Sequence, residues 1–287
     1  TIEQLKKTNS GASYVQSLSS VNSQLVMLQS AFHVSAPTMN YKHWLNGSLN
    51  YLYKHYSYDK NGQTDPNHSV NGEVFKDFLE WLARLFMLRR YLSNNPDSYY
   101  TLLYENDEFS DLSLKFKQET DLKDGISTPL DLLKFGNIKN NFVFAYLDYL
   151  IWLNKDESNS SDIESKKKNF KFISQGSVEH FYPQNPINAT SDEQEKMKRV
   201  DLHRFGNLCL ISHSMNSRVS NHVPVAKKQY FNKEFTTQID SLKLCKMIET
   251  LTNNKDEWLE PQIIKHENEM LALYEDELGI KLKDTRQ

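Results

Sequence analysis

The chain has few cysteines and no segment typical of export or membrane insertion. Its 287 residues include only Cys209 and Cys245, which lie far apart and form no CxxC pair. This excludes a disulfide framework and a cysteine-rich zinc site, and it is typical of a reducing compartment. The chain starts at Thr1 without a basic and apolar leader, which favours a fragment of a longer protein. Apolar stretches such as residues 142–153 are too short to span a bilayer, so we expect a cytoplasmic protein.

Several enzyme classes are also missing their signatures. The sequence has no phosphate-binding loop, no dinucleotide-binding fingerprint, no nucleophile elbow and no internal repeat. The net charge of −3 is a mild argument against nucleic-acid binding, but the charge is unevenly distributed. Residues 171–234 contain nine Lys and Arg against six Asp and Glu. This local positive excess is compatible with contacts to phosphate.

Hydrophobic periodicity predicts a helical first half. Over residues 73–92 apolar side chains recur at three- and four-residue steps, which predicts an amphipathic helix. Residues 141–153 are apolar nearly all round, which predicts a buried central helix. Residues 156–170 are polar and charged without periodicity, and we interpret them as a linker. The sequence therefore predicts a helical N-terminal domain over residues 1–155.

The second half has a different pattern. Residues 171–236 are predicted to contain two short strands followed by a helix, and residues 237–287 to form C-terminal helices. We interpret residues 171–236 as a small ββα core within a mainly α protein. Cys209 falls in the second predicted strand, where we expect it to be a small core residue.

Polar residues at the ends of these elements have the types that phosphodiester hydrolysis requires. Glu179 and His180 close the first strand, Asn207 precedes the second, and Asn216 lies near the start of the helix. A histidine can activate water because its pKa lies near neutrality, and Mg²⁺ prefers oxygen ligands such as carboxylate and amide. Neighbouring strand residues point to opposite faces. We therefore expect the strand to end or bulge before Pro183.

The motifs around these residues resemble the HNH module that ends GmrSD-type modification-dependent restriction enzymes. Relatives of that family include a phosphorothioate-sensing antiphage nuclease. The resemblance is carried by residues 179–184, 203–212, 216–221 and 226–230, and the tail at 258–267 is similar to the family's closing tryptophan-plus-helix segment.

The resemblance implies a role for each matching position. His180 would be the general base, and Asn207 would brace the loop that orients it. Glu179 and Asn216 would be ligands of Mg²⁺ or Mn²⁺, with Asn221 as the alternative to Asn216. Lys227 would contact phosphate or the transition state. It also implies a nucleotide-hydrolysing sensor domain or partner, to which nothing in this sequence corresponds.

We therefore expect a metal-dependent endonuclease that cleaves or nicks phage or modified DNA in a bacterial antiphage restriction system. The expected DNA contacts are Arg204, Arg218, Lys228, His213 and His222, and His203 is expected to be a surface or DNA-facing residue. Two other interpretations stay open. One is a non-catalytic module that binds DNA or docks a partner, and the other is an RNase toxin.

Overall fold

The computed structural model describes most of the chain and divides it into two compact units. The described residues are 4–8, 11–15, 21–36, 38, 42–55, 71–104, 116, 127–154, 161–219, 221–234 and 239–283. The first unit is Thr1–Leu122 and the second is Lys123–Gln287. The expected boundary after residue 155 falls inside the second unit, because the helix before it packs against the C-terminal helices. No helix in the described part of the chain has the length and apolar character to cross a membrane.

The described part of the first unit contains a hairpin and four α-helices. Its elements are β1 (Gln4–Thr8), β2 (Gly11–Val15), α1 (Asn22–Ser35), α2 (His43–His55), α3 (Gly72–Phe86) and α4 (Tyr99–Leu103). The antiparallel hairpin differs from the expected all-helical region, and its register pairs Thr8 with Gly11. The helix predicted over residues 73–92 is confirmed: α3 starts at an Asn71 cap and continues into a π-helical turn at Met87–Tyr91.

The second unit is built around a helical core. Its first elements are β3 (Ser127–Pro129), α5 (Phe142–Leu153) and α6 (Ser161–Asn169), and its last are α10 (Leu242–Asn253), α11 (Glu260–Leu278) and β6 (Lys281–Lys283). The helices α5, α10 and α11 pack against one another, and β3 pairs in parallel with β6. The predicted burial of α5 is confirmed, because nearly all of its residues are buried. Most of the expected linker 156–170 is the helix α6, which an ion pair from Lys166 to Asp162 stabilises locally.

Two short strands and a helix occur between α6 and α10 along the chain. They are β4 (Ser177–His180), β5 (Leu208–Ile211) and α8 (His213–Val219), with α7 (Ser191–Met197) before β5 and α9 (Pro224–Glu234) after α8. The strands are antiparallel and pair Glu179 with Cys209 and His180 with Leu208. Cys209 is buried, as expected for a core residue. The first strand ends at His180, three residues before Pro183, as expected.

Candidate active site

His180 ends β4, and its imidazole is enclosed by aromatic and polar groups. The side chain is buried, the centroid of the Phe135 ring lies 4.5 Å from its own, and its Nε2 lies 3.2 Å from Nδ1 of His203. Burial lowers the pKa of His180 to about 4, and the neighbouring His203 and Lys227 act in the same direction. His180 is therefore neutral at pH 7 and carries a lone pair, as a general base must.

Asn207 fixes the chain immediately after His180. Its Oδ1 accepts hydrogen bonds from the Tyr182 amide at 2.8 Å and from Trp258 Nε1 at 3.1 Å. Its Nδ2 donates to the carbonyls of Tyr182 and Leu202, both at 3.0 Å. The side chain is fully buried, so these four bonds are shielded from water. This is the placement that a bracing residue requires, and Trp258, from the start of α11, takes part in it.

Lys227 lies beneath the same strand end instead of facing solvent. Its Nζ donates to Glu179 Oε1 at 2.7 Å and to the carbonyl of His180 at 2.5 Å. The side chain is 0% exposed, and burial lowers the pKa of Lys227 while the Glu179 carboxylate opposes that change. In this structure the charge of Lys227 is engaged within the protein, and its contact with phosphate or the transition state stays a prediction. This lysine stabilises the backbone of His180 and the carboxylate beside it.

A second buried lysine holds the turn that precedes β5. Lys243 in α10 donates from Nζ to the carbonyls of Phe205 at 2.8 Å and Leu208 at 2.5 Å. Burial lowers the pKa of Lys243 to about 8. No motif of the sequence contains Lys243, and its spacing in α10 is that of an ordinary helical residue.

Arg204 belongs to the same framework. Its guanidinium forms an ion pair with the buried carboxylate of Glu267 in α11, which also accepts a hydrogen bond from the Gly206 amide at 3.2 Å. The charge of Arg204 is thus paired with an acid of the core, and its contact with DNA stays a prediction.

The other expected DNA contacts lie on or near α8 and α9. His213 and Arg218 are exposed, and Nδ1 of His213 lies 3.0 Å from Ser177 Oγ. His222 is half-buried, with Nδ1 3.0 Å from the Val219 carbonyl. Lys228 forms an ion pair with Asp256 at 2.5 Å, which engages its charge within the protein.

The expected metal ligands occupy two neighbouring elements. Glu179 lies on β4 and Asn216 on α8, which packs against β4, whereas Asn221 is exposed beyond the end of that helix. No cluster of three His, Cys, Asp or Glu suited to a metal ion occurs within the described ranges. A hard divalent ion would therefore depend on few protein oxygens and on water.

His203, expected at the surface, is brought directly to His180. It is exposed, but its imidazole also lies 3.3 Å from the side-chain amide nitrogen of Gln184 and stacks on Phe135 with ring centroids 5.6 Å apart. The sequence offered one signal for this, since His203 lies four residues before Asn207. The involvement of Phe135 could not be predicted, because it comes from a segment well before the motifs.

One comparison with known proteins gives a match. The family model for the C-terminal domain of GmrSD restriction endonucleases matches residues 128–273, slightly more than half of the chain. The match contains every residue of the site described above. No curated protein and no solved structure matches the chain.

Proposed function

The chain belongs to the GmrSD restriction endonucleases through their C-terminal domain, and from this we propose that residues 171–236 form an HNH nuclease core of the ββα-metal type. We propose that its substrate is DNA, cut or nicked during restriction of phage or modified DNA. The observation that carries this proposal is a neutral histidine at the end of β4, followed by a loop that the buried amide of Asn207 holds on both sides.

The chemistry starts with water at His180. The neutral imidazole takes one proton from water, and the remaining hydroxide forms a new bond to phosphorus while the bond from phosphorus to the leaving oxygen breaks. A pKa of about 4 makes an isolated imidazole a weak base at pH 7. A bound phosphodiester carries negative charge, which raises the pKa of a neighbouring imidazole towards neutrality. The base is therefore kept neutral in the free protein and becomes stronger when substrate binds.

The donor set fits a hard divalent ion such as Mg²⁺ or Mn²⁺. Glu179 and Asn216 offer a carboxylate and an amide oxygen from β4 and the neighbouring α8, and these are the oxygen types that such ions prefer. When bound, the ion would stabilise the negative charge that develops on the phosphate. The Lys227 ammonium holds the Glu179 carboxylate by one oxygen, so this ligand would be oriented before the ion arrives.

The residues expected to contact DNA, which are Arg204, Arg218, Lys228, His213 and His222, are proposed to bind its backbone. His213, Arg218 and His222 lie on or just after α8, which follows β5. We also propose that recognition of the DNA depends on a nucleotide-hydrolysing sensor, in the same longer protein or in a partner. The proposed localisation is the cytoplasm.

Nicking of a supercoiled plasmid tests the proposal. We expect relaxed and linear products with Mg²⁺ or Mn²⁺, none with EDTA, and a loss of about a hundredfold or more in His180→Ala. His33→Ala is a matched control, because His33 is an exposed histidine of the first unit. Thermal unfolding of both variants checks that the fold is retained.

Three results would contradict the proposal in different ways. Equal DNA binding by the wild type and His180→Ala, with no cleavage by either, would indicate a binding or docking module. Faster degradation of RNA than of plasmid would indicate an RNase. Cleavage that survives His180→Ala would remove this histidine from the mechanism.

A further inference from the structure

His203 links the proposed base to a side-chain amide. Its Nδ1 lies 3.2 Å from Nε2 of His180, and its Nε2 lies 3.3 Å from Nε2 of Gln184. Both ring nitrogens of His203 are therefore engaged, one on each side. The three side chains form a continuous hydrogen-bonded chain, Gln184–His203–His180, that ends at the group proposed to activate water.

His203 is held in this position although its side chain is exposed. Its backbone carbonyl accepts a hydrogen bond from the Phe135 amide at 2.9 Å, and its own amide donates to Asp201 Oδ1 at 3.2 Å. The Phe135 ring stacks on the imidazole of His203, with an angle of 15° between the planes, and also packs on His180. The carboxylate of Asp201 is tied in turn to Lys134 at 3.0 Å. These contacts hold the exposed imidazole of His203 in one position beside His180.

The direction of the hydrogen bonds decides whether His180 can act. A neutral imidazole has one N–H donor and one lone pair. If His203 donates from Nδ1, the lone pair on Nε2 of His180 is used and the proton of His180 sits on Nδ1. If His180 donates from Nε2, its Nδ1 keeps a lone pair for water.

Gln184 determines which direction is possible. An amide nitrogen facing His203 donates to it and favours the first arrangement. A half-turn of the amide presents Oε1, which accepts from Nε2 of His203 and favours the second. The same heavy-atom positions therefore serve both arrangements, and an acceptor at residue 184 selects the form in which His180 is a base.

We propose that His203 is a positioning residue that fixes the tautomer of His180, with Gln184 as its acceptor. The proposal rests on the proposed nuclease function and names the reacting atom. The proton of water goes to Nδ1 of His180, while Nε2–H of His180 stays bonded to His203. The hydroxide electron pair forms the new bond to phosphorus.

Two substitutions of His203 separate positioning from packing. Asparagine places its Oδ1 close to the position of the imidazole Nδ1, so His203→Asn keeps an acceptor for His180, whereas His203→Leu has similar bulk and no acceptor. For plasmid nicking we expect His203→Leu to lose at least about tenfold in kcat with little change in KM, because a base in the wrong tautomer is inactive. His203→Asn should stay within about threefold of the wild type.

The tautomer can also be measured without any cleavage. Long-range proton–nitrogen NMR of the full chain with ¹⁵N-labelled histidine distinguishes a protonated Nε2 from a protonated Nδ1, and His180→Gln assigns the signals of His180 among the nine histidines. We expect His180 to carry its proton on Nε2 in the wild type and in His203→Asn, and a mixture of both forms in His203→Leu.

The two measurements fail independently. An unchanged tautomer of His180 in His203→Leu would overturn the positioning role, as would equal losses of kcat in His203→Leu and His203→Asn. If the wild type does not nick DNA at all, the proposed function fails, and the NMR spectra still decide whether His203 controls the tautomer.

Discussion

Asn207→Asp tests the brace behind His180 with almost no change in shape. The substitution exchanges one amide nitrogen for an oxygen. It keeps the acceptor of the Tyr182 amide and of Trp258 Nε1 and removes the donor to the carbonyls of Tyr182 and Leu202. Because the site is fully buried, water does not replace the lost donor.

The structure gives the size of the effect. Each lost hydrogen bond is worth about 1 kcal/mol net, and a buried carbonyl left without a donor costs about 1–3 kcal/mol. With two carbonyls affected, we expect the brace to weaken by about 2–5 kcal/mol at pH 8, where the introduced carboxyl is charged. Burial raises the pKa of such a carboxyl above its unfolded value. At pH 5 it takes up a proton and restores one donor, so the loss should be smaller by about 1 kcal/mol.

Hydrogen exchange of the peptide over residues 181–184 measures this directly, since the Tyr182 amide is bonded to Asn207. A loss of about 3 kcal/mol corresponds to about a hundredfold faster exchange, because 1.4 kcal/mol is a factor of ten. Asn268→Asp makes the same change on an exposed position of α11 and should leave this peptide unchanged. Exchange in Asn207→Asp within threefold of the wild type at pH 8 would refute the reasoning.

Two further predictions concern the framework. In Gly206→Ala the new Cβ would lie 2.2 Å from the carbonyl oxygen of Ile263, so we expect the free energy of urea unfolding to fall by more than about 3 kcal/mol. In the control Gly176→Ala the new Cβ meets only the end of a flexible histidine, and the loss should be less than about 1 kcal/mol. Comparable losses in the two variants would contradict the steric argument. Burial raises the pKa of Asp148 to about 7, so its contribution to stability is complete at low pH and is lost as the pH rises through 7. Between pH 5 and pH 8, Asp148→Asn should therefore gain about 3 kcal/mol of stability relative to the wild type, since about two pKa units fall in this range and each is worth about 1.4 kcal/mol. A pH-independent difference in unfolding free energy would exclude this cause.

Local sequence patterns predicted those residues of the site that lie within a recognisable strand end or short motif. His180 and Asn207 were singled out from strand ends and short motifs, and the structure joins them across β4 and β5. The buried helix α5 was predicted for the same reason, since its apolar residues form one uninterrupted run. Such features depend on neighbours within a few residues, and the sequence contains them in full.

Partners from distant segments could not be predicted. Phe135 and Lys243 contact the site from outside the motifs, and each occurs in a stretch whose local pattern fits an ordinary loop or helix. The helix α6 within the expected linker was missed for a related reason. Its charges were interpreted as solvation, whereas ion pairs at three- and four-residue spacing, such as Lys167 with Glu164, favour the helix α6.

The buried charges clarify why the site tolerates a net negative protein. Lys227 and Lys243 both donate to backbone carbonyls next to the proposed base, and both have a pKa lowered by burial. The charge of Lys227 is engaged within the protein, so the positive excess of residues 171–234, which includes this lysine, overstates the charge that faces DNA. What these lysines provide is rigidity of the two strand ends, which keeps His180 in one place. A site built in this way depends on the fixed geometry of its base more than on a strong electrostatic attraction for DNA, and its binding should weaken less with salt than the number of basic residues in the segment implies.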